Sequence, residues 1–503
     1  MNVIRNAKDK QTLNRQSILI IGLITGSVVV LVIAIYAIVQ WQRSEQQSKI
    51  ALARQLAAQA QSVLISEHSL QETAVLLAIQ SMRLHPSGEA AQFLQENTSE
   101  YPISRMNWIT SREYWEDFIY SICFSPNGKY IVSGSRDQTA RVWDAFTGEE
   151  IFRMTHDGFV ASVAVSPDSK YVVSGGGSNT VRVWDISSGQ EISRMTHADG
   201  EYVSYVAFSP NGKYVASSAA YDKTIHLWDA KTGQEVSLMT HEGDALDFVA
   251  FSPDSKYMIS SGGNDYTARV WHTSTGQEIS RMTHDAFVSS VAFSPDGKHV
   301  ASGGDNTARV WEADTGQEIA RMTHDSYVYF VSFSPNGKYI ASGGRDNTAR
   351  VWSSHTGQEI VRLPHNKFVR FIAFSPDSTH VLSIESTGTK LQSITHVWDA
   401  NTGQEIFRML HNGSKFSVAF SPDGKYIVST SKDGDAILLR HYLPGDLIAD
   451  TCSRLTRNLT RAEWQKYIGS ALPYQEICPN VPIEPIPTPV TITIPTPYST
   501  ATP

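Results

Sequence analysis

The sequence predicts an all-β domain built from eight copies of one unit, preceded by a membrane-spanning helix and a short helical neck. Three observations predict it. An F-S-P-[DN] tetrad or a close variant recurs through about two thirds of the chain; 22 residues near the N-terminus carry no charge; and Ala, Gln, Leu and Glu dominate the text between the two. The 503 residues are 41% hydrophobic, which supplies ample material for a core. Basic residues number 42 and acidic ones 50, a net charge of −8, and no long basic run lies beyond the N-terminus, so nucleic acid is a poor partner. Three cysteines are too few for a disulfide-scaffold fold.

Residues 1–17 read as a cytoplasmic tail and 18–41 as the spanning helix. The apolar stretch 18–39 is long enough to cross a hydrocarbon core of about 30 Å, with Trp41 at an interfacial position and Arg15 and Arg43 flanking it. A cleaved signal peptide is the alternative, but the stretch exceeds the usual apolar length and no small-x-small site follows it. Arg5, Lys8, Lys10 and Arg15 outnumber Arg43, Lys49 and Arg54, which places the N-terminus inside and the bulk of the chain on the extracytoplasmic side. Residues 42–97 form the neck. Ile50, Ala53, Leu56, Ala57, Ala60 and Leu64 give one helical face; Ser69 with Glu72 is a capping-box pattern opening a second helix, which ends at Pro86; and Ser87 with Ala90, Ala91 and Leu94 begins a third. No sustained heptad is present, so a packed helical hairpin is preferred over an oligomerisation helix.

The tetrad serines are Ser125, Ser166, Ser209, Ser252, Ser294, Ser334, Ser375 and Ser421, at intervals of 41, 43, 43, 42, 40, 41 and 46 residues. Each copy has a β-rich run, a Pro-Asp/Asn-Gly/Ser turn, a second run ending in Ser-Gly or Ser-Ser, a turn usually holding Asp, and a third run ending in Trp. The text T-G-Q-E-I-x-R-M-T-H follows. Pro presets the turn dihedral and Asn/Asp-Gly accepts positive φ.

This unit resembles the WD-repeat β-propeller family, with Trp143, Trp184, Trp228, Trp271, Trp311, Trp352 and Trp398 at the tryptophan position and Leu439 as the expected counterpart in the last copy. The resemblance covers residues 103–442 and implies four-stranded blades that stack and close into a ring. Eight blades are expected, with seven plus an aberrant unit as the alternative; residues 103–106, I-S-R-M, repeat the outer-strand text and so supply the last blade's missing strand. The resemblance also implies an intrablade hydrogen-bond network through His284, Ser302, Asp305 and Trp311, and through His324, Ser342, Asp346 and Trp352. One such set per blade, about 15–20 Å apart, cannot share a metal or substrate. No phosphate-binding loop, zinc-protease motif or nucleophile elbow occurs, so no catalytic, cofactor-binding or metal-binding residue is assigned and no enzyme is expected.

Positions that differ between blades are free to serve a partner. Seven residues before each tetrad serine stand Phe118, Phe159, Tyr202, Ala245, Phe287, Tyr327, Phe368 and Ser414; two residues further come Tyr120, Ala161, Ser204, Asp247, Ser289, Tyr329, Arg370 and Phe416. In the family these strand starts rim the channel mouth, and the residue before the turn Asp belongs to the same face: Arg136, Tyr221, Asn264, Arg345 and Lys432. Aromatic and Arg residues are the usual composition of binding hot spots. The expected function is a non-catalytic, membrane-anchored scaffold or receptor that binds peptides or protein domains there. The alternatives are a structural component self-associating through the neck and the regulatory propeller of a hydrolase system. Residues 443–480 resemble the C-terminal helical cap of bacterial WD-repeat proteins, with a capping box at Thr460 and Glu463 and a possible Cys452–Cys478 disulfide; Cys123 reads as a small core residue, and 481–503 is a Pro/Thr-rich tail.

Overall fold

The structure is a computed structural model that describes residues 2–66, 71–98, 103–107, 119–197, 202–219, 223–243, 248–262, 264–386, 392–412, 417–430, 436–479 and 481–482, with side chains of the first helix from residue 31. Among the described residues the helices are α1 (Asn2–Ser66), α2 (Gln71–Leu84), α3 (Gly88–Thr98), α4 (Pro444–Cys452) and α5 (Arg461–Tyr467). The chain divides into two compact units, Met1–His85 with Arg457–Pro503, and Pro86–Thr456. The division places α3 and α4 with the β-structure, whereas the sequence grouped them with the neck and the cap.

In the first unit, the apolar face read around Ala53 packs on α2. Ala53, Leu56, Ala60 and Val63 are buried, as are residues 73–82 of α2, and Ser81 Oγ donates to the Ala53 carbonyl at 2.8 Å. Arg457 ties the C-terminal segment to α2, donating to Thr73 Oγ1 at 2.8 Å and to Glu463 at 2.8 and 2.9 Å. Burial works to raise the Glu463 pKa, but Arg457 and the Thr460 cap hold it down at about 2. The Thr460–Glu463 capping box is formed, while the predicted cap Ser69 lies outside the described residues. Among the described residues no helix is long and apolar enough to cross a membrane; the stretch 18–39 begins ahead of the side chains described.

The second unit holds eight four-stranded antiparallel sheets. Blade 1 is typical, with strands Ile119–Phe124, Tyr130–Ser135, Thr139–Asp144 and Glu150–Thr155 from the inside out. Blade 8 takes three strands from the end of the domain, Val418–Phe420, Tyr426–Thr430 and Ala436–His441, and its outer strand, Ser104–Asn107, from the beginning. The register runs from Ser104↔Leu439 to Asn107↔Ala436. Closure has its own core: Met106, Ile437 and Leu439 of blade 8 pack with Ile119, Ile122, Ile131 and Trp143 of blade 1. The joints that blades 2 to 7 make with the blade before them repeat this design, each tryptophan inserting among apolar side chains of the preceding blade, as Trp352 does against Val310 and Met322.

The register corrects one assignment. Tyr130 faces Asp144 and Ile131 faces Trp143 in blade 1, and the matching pairs in blade 8 are Tyr426↔His441 and Ile427↔Arg440. Arg440, not Leu439, therefore stands where the tryptophans stand. Burial lowers its pKa to about 10, with Arg105 and Arg454 acting in the same direction.

The turns alternate for a physical reason. Where the tetrad turn carries Gly, as at Gly128, φ is 71°; where it carries Ser, as at Ser169, Ser255 and Ser378, the backbone still adopts φ of 59°, 63° and 64°. Each of these hydroxyls accepts the backbone N–H of an Asn in the preceding blade's turn: Asn127 at 3.1 Å, Asn211 at 3.0 Å and Asn336 at 3.1 Å. The S-P-N-G turns of blades 1, 3 and 6 are thus stapled to the S-P-D-S turns of blades 2, 4 and 7.

Candidate protein-interaction face

The face is built by a repeated irregularity of the innermost strands. In blade 1 Ile119 pairs Ser135 and Ser121 pairs Gly134, so Tyr120 is left as an extra residue in a β-bulge. The same shift leaves Ala161, Ser204, Ser289, Tyr329 and Arg370 as the bulged residues of blades 2, 3, 5, 6 and 7. A bulge unpairs one residue and re-aims its side chain, which separates these positions from the blade cores. They vary widely between blades. The second strand accommodates the rim backbone with glycine: a Cβ on Gly304 would lie 2.6 Å from the Phe287 carbonyl, and one on Gly344 would lie 2.9 Å from that of Tyr327.

Two aromatic arcs follow. Tyr120, Phe159 and Tyr202 run across blades 1 to 3 with ring centroids 5.7 and 5.5 Å apart. Tyr327, Tyr329 and Phe368 run across blades 6 and 7 at 5.2 and 6.1 Å, and the Arg370 guanidinium lies 5.2 Å from the Phe368 ring centroid. The Tyr327 hydroxyl donates to the Phe287 carbonyl at 2.8 Å, joining blade 5 to the second arc, and the Arg345 N–H donates to the Tyr327 carbonyl at 2.7 Å. Tyr202 is 40% exposed, and Arg136, Arg345 and Arg370 are exposed, while the remaining arc residues are half-buried. Phe118, Tyr221 and Lys432 lie outside the described residues, as do Ala245, Asp247, Ser414 and Phe416.

Next on each inner strand comes a position the sequence reading passed over. Four residues before the tetrad serine, blades 3, 4, 6 and 7 carry Tyr205, Phe248, Phe330 and Phe371, which form a chain at 5.9, 5.3 and 4.8 Å between centroids. The Phe248–Phe330 contact reaches from blade 4 to blade 6 past blade 5. In blades 1, 2, 5 and 8 the position is serine, and Ser121, Ser162, Ser290 and Ser417 each accept an N–H from the adjoining blade at 3.1–3.3 Å. The alternation of aromatic and serine at this offset was the available signal.

The blade networks lie just beneath this face: a Cβ on Gly344 would meet the Tyr327 carbonyl at 2.9 Å and His324 Nδ1 at 3.2 Å. In blade 6 the Trp352 indole N–H donates to Ser342 Oγ at 2.7 Å, the Ser342 hydroxyl donates to His324 Nε2 at 2.7 Å, and His324 Nδ1–H donates to Asp346 at 3.0 Å. Blade 5 repeats the set through Trp311, Ser302, His284 and Asp305, at 2.7, 2.7 and 3.4 Å. The arrangement requires a neutral imidazole, and burial pushes His284 below its ordinary pKa; burial works to raise Asp305, but the His284 and Thr307 hydrogen bonds outweigh it and hold that carboxylate low.

A fifth member was missed. Arg350, two residues before Trp352, lies 5.7 Å from the Trp352 ring centroid and binds Asp346 at 2.6 Å and Glu359 at 3.3 Å; Arg141, Arg269 and Arg309 do the same in their blades. Its signal was R-x-W. In blade 7 His396 takes this place, stacked on Trp398 and bonded to Glu405 at 2.6 Å, and the buried Glu385 accepts the Asn366 N–H at 2.8 Å, as Asp346 accepts that of Asp325. Cys123 is a half-buried free thiol, pushed up to about 12 by burial, whereas Cys452 and Cys478 are buried and disulfide-bonded. Among the described residues no group of three or more His, Cys, Asp or Glu is placed to hold a metal ion.

Comparison with known proteins agrees with this geometry. No curated protein matches the chain. The crystal structure of a computationally designed protein, Ika8, is similar, with 31% identity and a TM-score of 0.54 over 67% of this chain and 99% of that one. The family described as WD domain, G-beta repeat matches residues 110–144, 148–185, 189–229, 234–272, 276–312, 316–353 and 404–438. The gap at 354–403 covers most of blade 7, where Glu385 and His396 replace the usual residues. Seven matched repeats on eight sheets show that the chain belongs to the WD domain, G-beta repeat family.

Proposed function

We propose that this protein is a non-catalytic scaffold or receptor, anchored by its N-terminal helix, whose propeller binds peptides or protein domains at the channel mouth. The bulged residues carry the reading: six blades present a side chain that differs widely among them from the same irregularity, and aromatic rings and exposed arginines cluster around it. A segment with an apolar anchor and acidic character complements Tyr202, Tyr329, Arg345 and Arg370. Peptides selected from a displayed library on the full chain test this. Replacing Tyr202 and Arg370 by Ala, both exposed, should weaken the selected peptides at least about tenfold without moving the unfolding transition. Unaltered binding would sink the channel-mouth reading.

The anchor rests on the uncharged stretch 18–39 and on Leu31, Val32, Ile33, Ile35, Tyr36, Ile38, Val39 and Trp41, which are exposed on every side of α1. With the propeller on the extracytoplasmic side, external protease should digest it in intact cells, and a Cys452–Cys478 bridge should alter gel mobility on reduction. A protected propeller would instead place the protein's work in the cytosol.

A further inference from the structure

The outer strands carry a second repeated feature. The text Q-E-I-x-R stands at residues 190–194, 277–281, 317–321, 358–362 and 404–408, in blades 2, 4, 5, 6 and 7. In all five the Glu and Arg are bonded, Arg Nε donating to a Glu oxygen at 2.7–2.9 Å. Blades 1 and 3 depart from it, with Glu149 in place of Gln and with Val236 and Leu238 in place of Ile and Arg.

Among the described residues only blade 7 has its copy covered, because α3 lies along the outer strand Glu405–Asn412. Each residue of the motif is used. Gln404 Nε2 donates to the Pro86 carbonyl at 2.5 Å, and Gly88 permits close approach, since a Cβ there would lie 2.4 Å from Glu405 Cδ. Arg408 is bound chiefly by Glu405 and also feels the charge of Glu89, the acid in the first turn of α3. Ala90, Ala91 and Leu94 of α3 are fully buried, and Ile406 is 6% exposed. Its counterparts Ile192, Ile279, Ile319 and Ile360 are 42, 37, 39 and 44% exposed. A cleft of about 420 Å³ opens beside Ile279 and one of about 240 Å³ beside Ile319.

We infer that the outer rims of blades 2, 4, 5 and 6 dock short helices of a partner protein that share the chemistry of α3. Such a helix enters through a Pro-x-Gly turn, carries an acid in its first turn and presents an Ala-Ala-x-x-Leu stripe. The seat of α3 on blade 7 is the template: each open isoleucine is followed two residues later by an exposed arginine, in the place that Arg408 holds after Ile406. Arg194, Arg281, Arg321 and Arg362 already feel Asp157, Glu242, Asp285 and Asp325, so the apolar stripe carries more of the contact than the acid does. The chain's own α3 occupies blade 7, in this copy as in any other, so the four open rims are left for another protein. They are separate from the channel mouth and hold whether or not that face binds.

The test is a fluorescent peptide of residues 86–98 titrated into the full chain. More than one equivalent should bind, and replacing Ile192, Ile279, Ile319 and Ile360 together by Asp should weaken binding at least about tenfold. A peptide carrying Glu89→Lys and Leu94→Asp should fail on the unaltered protein, which checks the contact without changing the fold. Tyr202→Ala should leave the peptide's affinity as it was. Absence of saturable binding, equal binding of the altered peptide, or equal binding to the fourfold variant would overturn the inference.

Discussion

Ser169, Ser255 and Ser378 hold a left-handed backbone that glycine holds in the other turns, and each hydroxyl receives an N–H from the blade before it. Two substitutions separate the opposing effects. Ser255→Ala keeps a Cβ at positive φ and loses the bond, so unfolding should show a loss of about 1 kcal/mol. Ser255→Gly loses the same bond but releases about 1 kcal/mol of backbone cost, and its stability should stay close to that of the parent. The histidines set a pH dependence. Burial, aided by Arg182, lowers His156 from 6.5 to about 4, and burial lowers His241 and His284 in the same direction. Between the folded and unfolded values the unfolded chain binds more protons, so stability rises with pH and is lost as pH falls below 6.5 toward 4. Asp265, Asp305 and Asp346, held low, keep their contribution throughout that window. His396 opposes the trend: burial works to lower it, but Glu385 and Glu405 raise it, so its contribution is lost as pH rises through its folded value. Thermal melts should therefore fall from pH 7 to pH 5, by on the order of 1–2 kcal/mol for a histidine placed like His156, and His156→Gln should flatten the slope. These roles were readable at residue level only where a residue type repeats. The network of His, Ser, Asp and Trp was implied by the resemblance to the WD-repeat family, whereas the buried arginines were passed over because Arg is ordinarily a surface residue.

At the scale of the strand, closure depends on residues 104–107. Met106 is fully buried in the joint between blades 8 and 1, so Met106→Asp should cost about 3–5 kcal/mol and lower the melting temperature of the propeller as a whole. An unchanged melt would mean that the ring does not rely on this strand. The strand was legible from I-S-R-M, because an outer-strand text without a blade in front of it needs a sheet elsewhere. The blade 8 register was not legible. The Trp follows its bonded Ser by 9 residues in blade 5, by 11 in blade 4 and by 15 in blade 7, according to turn length, and counting along such turns slipped Arg440 to Leu439. The bulges were hidden for a related reason, since a register shift is a property of two strands and leaves no mark on one.

For the molecule as a whole, the repeat count decided between seven blades and eight, because the tetrad survives in blade 7, where the rest of the unit has drifted. The grouping of the helices was beyond the sequence: which helix joins which unit depends on Arg457 reaching Glu72 and Thr73 and on α3 lying along blade 7, contacts between segments far apart in the chain. The last strand pair has a mechanical consequence. The chain enters the ring at Ser104 and leaves it just beyond His441, and because Ser104 pairs Leu439, entry and exit lie at the same end of one antiparallel ladder. Tension applied between the two ends of the propeller then loads these bonds one after another, from Ser104 toward Asn107, rather than all at once. Pulled from handles at residues 103 and 442 in an optical trap, the propeller should yield first in a low-force peeling step at blade 8. In the whole chain the contacts of Arg457 and Glu463 with α2 stand between the termini and this seam, and they shield the ring from such a load until they give way.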